Sequence, residues 1–293
     1  MKKQLLLSLA CLVSVVHAQE LKDYSREVVS TGRETPLWVG QYDANGRWPN
    51  GIYRWWFNPA NIPSNLTSAQ VLAAMQTAAA RWAGMCNIRF EYQGTTAIEP
   101  ETKNNFATDR VNVWGFANFI PELSTFSGFT PVAIMLTQPI AEIIDADIKL
   151  NAAMPWDIQT VEATFTHELG HAIGLGHSNV SESVMFANPY HSTTYIQTLR
   201  GDDAQGCAAL YGASADALAN RTMNWAETVY ADALKSGPAP NAMFDGYLYR
   251  YYQNSNNYIG VKFGDAYYLG PNGKIENLGP LSAFTTRVIA AGF

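Results

Sequence analysis

The apolar and polar positions change period several times along this 293-residue chain, and each change predicts an element. Residues 19 to 50 are polar and show no repeating apolar pattern, which predicts an N-terminal extension. Gly51–Asn58 (GIYRWWFN) reads as a strand. From Thr67 to Ala83 the residues Val71, Leu72, Met75, Ala79 and Trp82 fall on one helical stripe. Thr67 and Gln70 have capping-box spacing, and Gly84 stands where the helix would end. Short β-type runs follow at Asn87–Tyr92, Arg110–Trp114, Val132–Thr137 and Ala146–Leu150. The helical period returns from Asp157, a plausible N-cap, to Ile173, and again from Asp202 to Tyr211. Ala213–Leu234 is Ala-rich and predicts helix, and Lys235–Asn241 carries the Pro and Gly of a linker. Beyond it, Tyr247–Tyr252, Tyr258–Phe263, Ala266–Leu269 and Lys274–Leu278 alternate with turn residues in the manner of a β-meander. Seven tyrosines lie between Tyr247 and Tyr268, either as the packing face of a small sheet or as a binding surface.

The start of the chain has a different logic. Lys2 and Lys3 precede an apolar run from Leu5 to Val16, and Val16-His17-Ala18 resembles a small-residue cleavage site. Residues 1–18 therefore predict a secretory signal peptide, with cleavage before Gln19 and an extracellular product. No other stretch approaches 18 uninterrupted apolar residues, so no transmembrane segment is expected in the mature chain.

Composition narrows the function classes. Hydrophobic residues make up 47% and charged residues 15%, the balance of a folded chain rather than a disordered one. Lys plus Arg number 19 against 25 Asp plus Glu. Losing Lys2 and Lys3 leaves 17 against 25, or −8. An acidic chain without a basic run is a poor partner for nucleic acid, whose phosphates are met by Lys and Arg. A monomer is expected. Of 3 Cys, Cys11 leaves with the signal, and Cys86 and Cys207 remain either as one disulfide or as two buried thiols.

The chemistry concentrates in His167-Glu168-Leu-Gly-His171-Ala-Ile-Gly174-Leu-Gly-His177. On a helix His167 and His171 are four apart and share a face, so two imidazoles can grip one ion. Gly174 permits a left-handed turn, after which the chain can double back and offer His177. Three neutral imidazoles plus a water form the open tetrahedral set of a catalytic Zn2+ rather than a closed structural one. Glu168, beside the first ligand, is placed as the general base that takes a proton from water and passes it to the leaving amine. Three of the four His left after signal removal fall inside these eleven residues, too concentrated for chance.

These residues resemble the extended signature of the metzincin metalloproteases, and Ser183-Val184-Met185 resembles their Met-turn. Ser178 after the third His, and the Leu199–Gly212 segment with Asp202 and Asp203, are similar to the matrixins, whose acidic pair anchors this helix to the active-site segment. Arg47–Gly51 and Cys86–Phe90 resemble astacin segments, and that position of Cys86 supports pairing with Cys207. The resemblance spans roughly Trp48 to Gly212. It implies an α/β (α+β) metzincin catalytic domain, a mixed twisted sheet with an active-site helix, followed by a small β-rich C-terminal domain. The implied division is 1–18 signal peptide, 19–47 extension or short propeptide, 48–212 catalytic domain, 213–241 helical segment and linker, and 242–293 β-meander. The implied activity is zinc-dependent endopeptidase action on extracellular proteins or peptides. A non-catalytic binding protein on the same scaffold, recognising through the Tyr-rich module, is the competing class.

Departures from the matrixin pattern matter. No Cys precedes Cys86 in the mature chain, so the latency cysteine is missing, and only His191 is left over for the second, structural zinc. Asp43 is the best-placed carboxylate for a zinc-blocking role, against the simpler reading of an Asp in a turn. Asp145 and Asp147 are two carboxylates where Ca2+ ligands often fall, too few to define a calcium site. Tyr190 either lines the substrate pocket or is plain packing; Phe186–Tyr190 spaces it further from the Met-turn than is usual.

Overall fold

The structure is a computed structural model that describes residues 28–29, 37–39, 42–44, 46–100, 109–135, 141–186, 198–214, 216–235, 242–244, 247–262, 265–270, 275–280, 288 and 293. The signal segment 1–18, His191, Pro189, Tyr190 and most of the predicted linker lie outside the described residues. In chain order the elements are β1 (Val28–Val29), β2 (Leu37–Val39), β3 (Tyr42–Ala44), β4 (Ile52–Asn58), α1 (Ser68–Met85), β5 (Arg89–Thr95), β6 (Val113–Ala117), β7 (Gly128–Phe129), β8 (Val132–Met135), β9 (Glu142–Ala146), β10 (Ile148–Asn151), α2 (Ile158–Ala172), β11 (Leu175–Ser178), α3 (Gly201–Tyr211), α4 (Ala217–Val229), α5 (Ala231–Leu234), β12 (Ala242–Phe244), β13 (Tyr247–Tyr252), β14 (Asn257–Lys262), β15 (Asp265–Leu269) and β16 (Ile275–Pro280).

The principal sheet has the order β5-β4-β6-β10-β7. Its first four strands run parallel, and β7 closes one edge antiparallel to β10. Parallel strands covered by helices bury both faces, which fits the fully buried runs of β6 and β10. α1 and α2 pack on each other and on this sheet around Trp82, Trp114, Phe165, Trp55 and Tyr53, all at most 1% exposed. The aromatic core is also satisfied polar by polar. Trp114 Nε1 donates to the Tyr53 hydroxyl (2.8 Å), which donates to Ala146 O (2.6 Å). Two expected caps are present: Thr67 and Gln70 exchange hydrogen bonds at the start of α1, as do Asp157 and Thr160 at the start of α2. Each cap stabilises its helix by about 1 kcal/mol.

Several boundaries differ from the pattern-based reading, each for a tertiary reason. Gly84 does not end α1; it lies within the helix, where Asn220 of α4 presses against its bare Cα at a distance no Cβ would allow. The strand expected at Arg110–Trp114 begins at Val113 instead, because Arg110 takes a positive φ of 62° and the Asn112 side chain is occupied bridging Arg54 O and Ala146 N. The chain turns from β9 into β10 at Asp147, whose carboxylate accepts the Val113 N–H at 2.6 Å. The 213–234 helix is two helices that meet at Tyr230. The polar N-terminal stretch contributes short strands: β1 pairs parallel with β8, and β3 pairs with both β2 and β11.

The five antiparallel strands β12–β16 form the expected meander. Alternation sends Arg250, Tyr252, Ile259, Val261 and Ala266 inward, and α4 and α5 cover this face. Tyr249, Tyr251 and Tyr258 take the other face, where the Tyr258 ring meets both of the others. The meander is not insulated from the rest. Arg81 of α1 pairs with Glu162 of α2 (2.9 Å) and with Glu227 of α4 (3.3 Å), and Glu227 pairs with Arg250 of β13 (2.7 Å). This buried set of two cations and two anions ties the C-terminal sheet to the helix that carries the His motif. Cys86, after α1, is disulfide-bonded to Cys207 in α3. Among the described residues no helix is long and apolar enough to cross a membrane.

Candidate metal centre

The three motif histidines converge. Their ligand atoms lie within 4.8 Å of one another, and their ring centroids are 4.8 to 5.4 Å apart. His167 and His171 project from one face of α2 and are almost wholly buried, while His177 on β11 is half-buried on the open side. The turn between them depends on Gly174, whose φ is +103° and whose Cα lies so close to Gly46 O that a Cβ would overlap it.

Two backbone carbonyls fix the imidazole tautomers. His167 Nδ1 lies 2.6 Å from Val184 O, and His171 Nδ1 lies 2.8 Å from Leu175 O. A carbonyl only accepts, so each Nδ1 carries the proton and each Nε2 presents its lone pair. Those two Nε2 atoms are 3.1 Å apart. Two lone pairs facing at that range repel, and a cation between them removes the conflict. Two nitrogens at about 2.0–2.1 Å from a tetrahedral Zn2+ sit about 3.3 Å apart, so the spacing suits such an ion. The donor set, the tautomers and the distance all fit zinc.

The surroundings hold this arrangement from three sides. Met185, fully buried, packs against the bare Cα of Gly170, where a Cβ would overlap its sulfur. Asp202 accepts from the Ser178 hydroxyl (2.6 Å), and Asp203 accepts from the Ser183 hydroxyl (2.6 Å) and from the N–H groups of Val184 (3.2 Å) and Arg200 (2.7 Å). The acidic pair thus anchors α3 to the segment containing His177 and Met185, the structural role expected of it. At the end of α2, the Trp48 indole N–H donates to Ala172 O (2.9 Å), and the Tyr211 hydroxyl donates to Ile173 O (2.7 Å) while accepting from Trp48 N (3.0 Å). Burial pushes the Tyr211 hydroxyl's pKa up, so it remains a donor.

Glu168 lies beside this centre, only 2% exposed. Its Oε2 accepts from the Thr130 hydroxyl at 2.6 Å, and Gly128 leaves the space its carboxylate fills. Neither Thr130 nor Gly128 stands out in the sequence, because a two-residue edge strand has no periodic signature. A Gly two positions before a Thr, preceding a Pro, gives only a turn signal. Asp145 and Asp147 lie apart from the histidines in sequence. Both accept backbone N–H groups, from Arg110 (3.0 Å) and Val113 (2.6 Å). Asp43 is in β3, opposite Trp38 and one residue from the Ala44 that pairs with Leu175, but its side chain is outside the described residues.

Comparison with known proteins agrees with the geometry. Residues 47–212 match the matrixin family model of M10 peptidases. Matrix metalloproteinase-19 of Mus musculus is 28% identical over 191 residues, covering 63% of this chain and 33% of that protein. Metalloendoproteinase 1-MMP of Arabidopsis thaliana is 29% identical over 149 residues, covering 50% of this chain and 39% of its own length. A probable matrix metalloproteinase, 095L of Invertebrate iridescent virus 3, is 34% identical over 96 residues, or 30% and 25% of the two chains. The chain spans between about a quarter and two fifths of these relatives.

Proposed function

Since the chain belongs to the matrixin family, a family of metalloendopeptidases, we propose that it hydrolyses peptide bonds of extracellular proteins or peptides with one Zn2+ held by His167, His171 and His177 and with Glu168 as general base. The observation that carries this reading is the pair of Nδ1-to-carbonyl contacts, which turn the lone pairs of both helical imidazoles toward a single point. When bound there, zinc would supply Lewis acidity, polarising the scissile carbonyl and lowering the pKa of a water to about 7.

The chain's own residues do the rest. Glu168 takes the proton of the attacking water on its carboxylate and returns it to the leaving amine, a role worth about 10²–10⁴ in rate for a positioned base. Met185 and the Asp203-bound turn exclude solvent from beneath the imidazoles. Intact Glu168 and His ligands weigh against a purely non-catalytic scaffold. Secretion through residues 1–18 and the division at 48, 213 and 242 belong to the same proposal.

The test is cleavage of a quenched-fluorescent peptide library by the zinc-loaded chain, with and without a chelator. Chelator-sensitive cleavage restored by Zn2+ supports the reading; cleavage indifferent to the chelator, or none by protein carrying one zinc per chain and processed past Gly46, contradicts it.

A further inference from the structure

Glu168 is held from two sides by one short segment. The Thr130 hydroxyl, fully buried, donates to Glu168 Oε2 at 2.6 Å and lies 3.2 Å from the Glu168 backbone O. Two residues earlier, Gly128 faces the same carboxylate. A Cβ there would fall 2.5 Å from Oε1 and 2.7 Å from Cδ. Residues two apart on an extended segment project to one side, so a hydroxyl and a gap are presented together to the same group.

That segment is itself fixed. Gly128 and Phe129 pair with Leu150 and Lys149 of β10, and the Lys149 ammonium lies 4.9 Å from the Phe129 ring centroid. The Asn151 amide donates to Ser124 O (3.1 Å) and Phe126 O (2.9 Å), holding the approach to β7. A glutamate has three side-chain torsions, and a mobile carboxylate beside a reactive centre spends most of its time misdirected. Locking it before substrate arrives removes that ordering cost from the chemical step.

We infer that Thr130 is a positioning residue for the proposed endopeptidase reaction. Its hydroxyl occupies Oε2 and fixes the carboxylate's orientation, with Oε1 against the bare Cα of Gly128, whose missing side chain makes room for that orientation. The inference rests on the endopeptidase reading, and the experiment separates the two.

The full zinc-loaded chain is compared with Thr130→Val, Thr130→Ser and Gly128→Ala by kcat, KM, zinc per chain, melting temperature and the Glu168 conformation in crystals. Val keeps the shape and removes the donor; Ser keeps the donor and removes a methyl. A misdirected group costs about a hundredfold in rate, so Thr130→Val loses about that much in kcat while KM, zinc content and melting temperature hold. Thr130→Ser recovers most of the loss, and crystals of Thr130→Val show the carboxylate turned away. Gly128→Ala lowers kcat, because the new Cβ falls 2.5 Å from Oε1 and pushes the carboxylate off the position Thr130 holds. Wild-type kcat in Thr130→Val, or a Thr130→Ser enzyme as slow as Thr130→Val, overturns the inference and leaves the endopeptidase reading standing. If Thr130→Val does not fold, Thr130→Ser and Gly128→Ala decide between the same outcomes: an inactive Ser variant or a fully active Ala variant overturns the inference. A zinc-loaded wild type without hydrolysis removes both.

Discussion

Replacing Arg81 by Met asks whether the buried ion set holds the active-site helix or merely decorates it. The set is balanced, with Arg81 and Arg250 against Glu162 and Glu227. Arg81 serves both carboxylates: its Nε and Nη2 donate to Glu162 Oε1 (3.1 and 2.9 Å) and its Nη1 and Nη2 to Glu227 (3.4 and 3.3 Å). Without it, Glu227 keeps Arg250 at 2.7 Å, whereas Glu162 loses both of these hydrogen bonds while its side chain is only 9% exposed. Burial already raises the Glu162 pKa against the opposing pull of Arg81, so removing the guanidinium leaves an anion that must take up a proton or be exposed. Breaking such a pair from one side costs about 3–5 kcal/mol, and replacing both partners by apolar groups is often close to neutral. Urea unfolding should therefore show Arg81→Met destabilised by about 3–5 kcal/mol, and Arg81→Met/Glu162→Leu should regain most of it because Glu227 and Arg250 remain paired. A single variant within about 1 kcal/mol of wild type, or a double variant no better than the single, would refute the assignment.

Asp145 supplies a pH signature. Burial raises its pKa from 3.8 to about 6, and Oδ1 is buried without a hydrogen-bond partner among the described residues. The folded state binds this proton more tightly than the unfolded chain, so its stabilisation is full below pH 3.8 and is lost as pH rises through about 6. Unfolding curves of Asp145→Asn should gain on wild type by about 2 kcal/mol between pH 4 and pH 7, and parallel pH profiles would contradict this. The Cys86–Cys207 bond closes a sequence separation of 121, so a Cys86→Ala/Cys207→Ala chain should lose about 3–5 kcal/mol in the same assay; no loss would show that the link does not constrain the unfolded state. Gly174→Ala forces a Cβ onto Gly46 O at a φ of +103°, and should cost about 2 kcal/mol or more and lower zinc retention, whereas an unchanged melting temperature and zinc content would mean the turn is not set there.

Local signals in the chain carried a good part of this structure. The capping pairs Thr67/Gln70 and Asp157/Thr160 mark where α1 and α2 start, because a cap is a contact between residues three apart. The His motif is equally local, and two of its three ligands follow from helix geometry alone. What escaped the pattern is what distant residues decide. The two-residue β7, the β3–β11 pairing and the use of Gly84 as a seat for Asn220 have no periodic trace. The Arg81–Glu162–Glu227–Arg250 set was equally illegible, since each member alone reads as a solvated charge on a helix or strand. Its existence changes the meaning of the β-meander, which composition presents as an appendage and which the ion pairs link to α1 and α2.

The proposed chemistry stands or falls on separating metal binding from proton transfer. Zinc per chain and hydrolysis of one quenched-fluorescent peptide would be measured side by side for the wild type and Glu168→Gln. The proposed mechanism predicts one zinc in each protein, with Glu168→Gln turning over slower by about 10²-fold or more. Equal turnover in the two proteins would contradict it, because the proton would then be moving without Glu168.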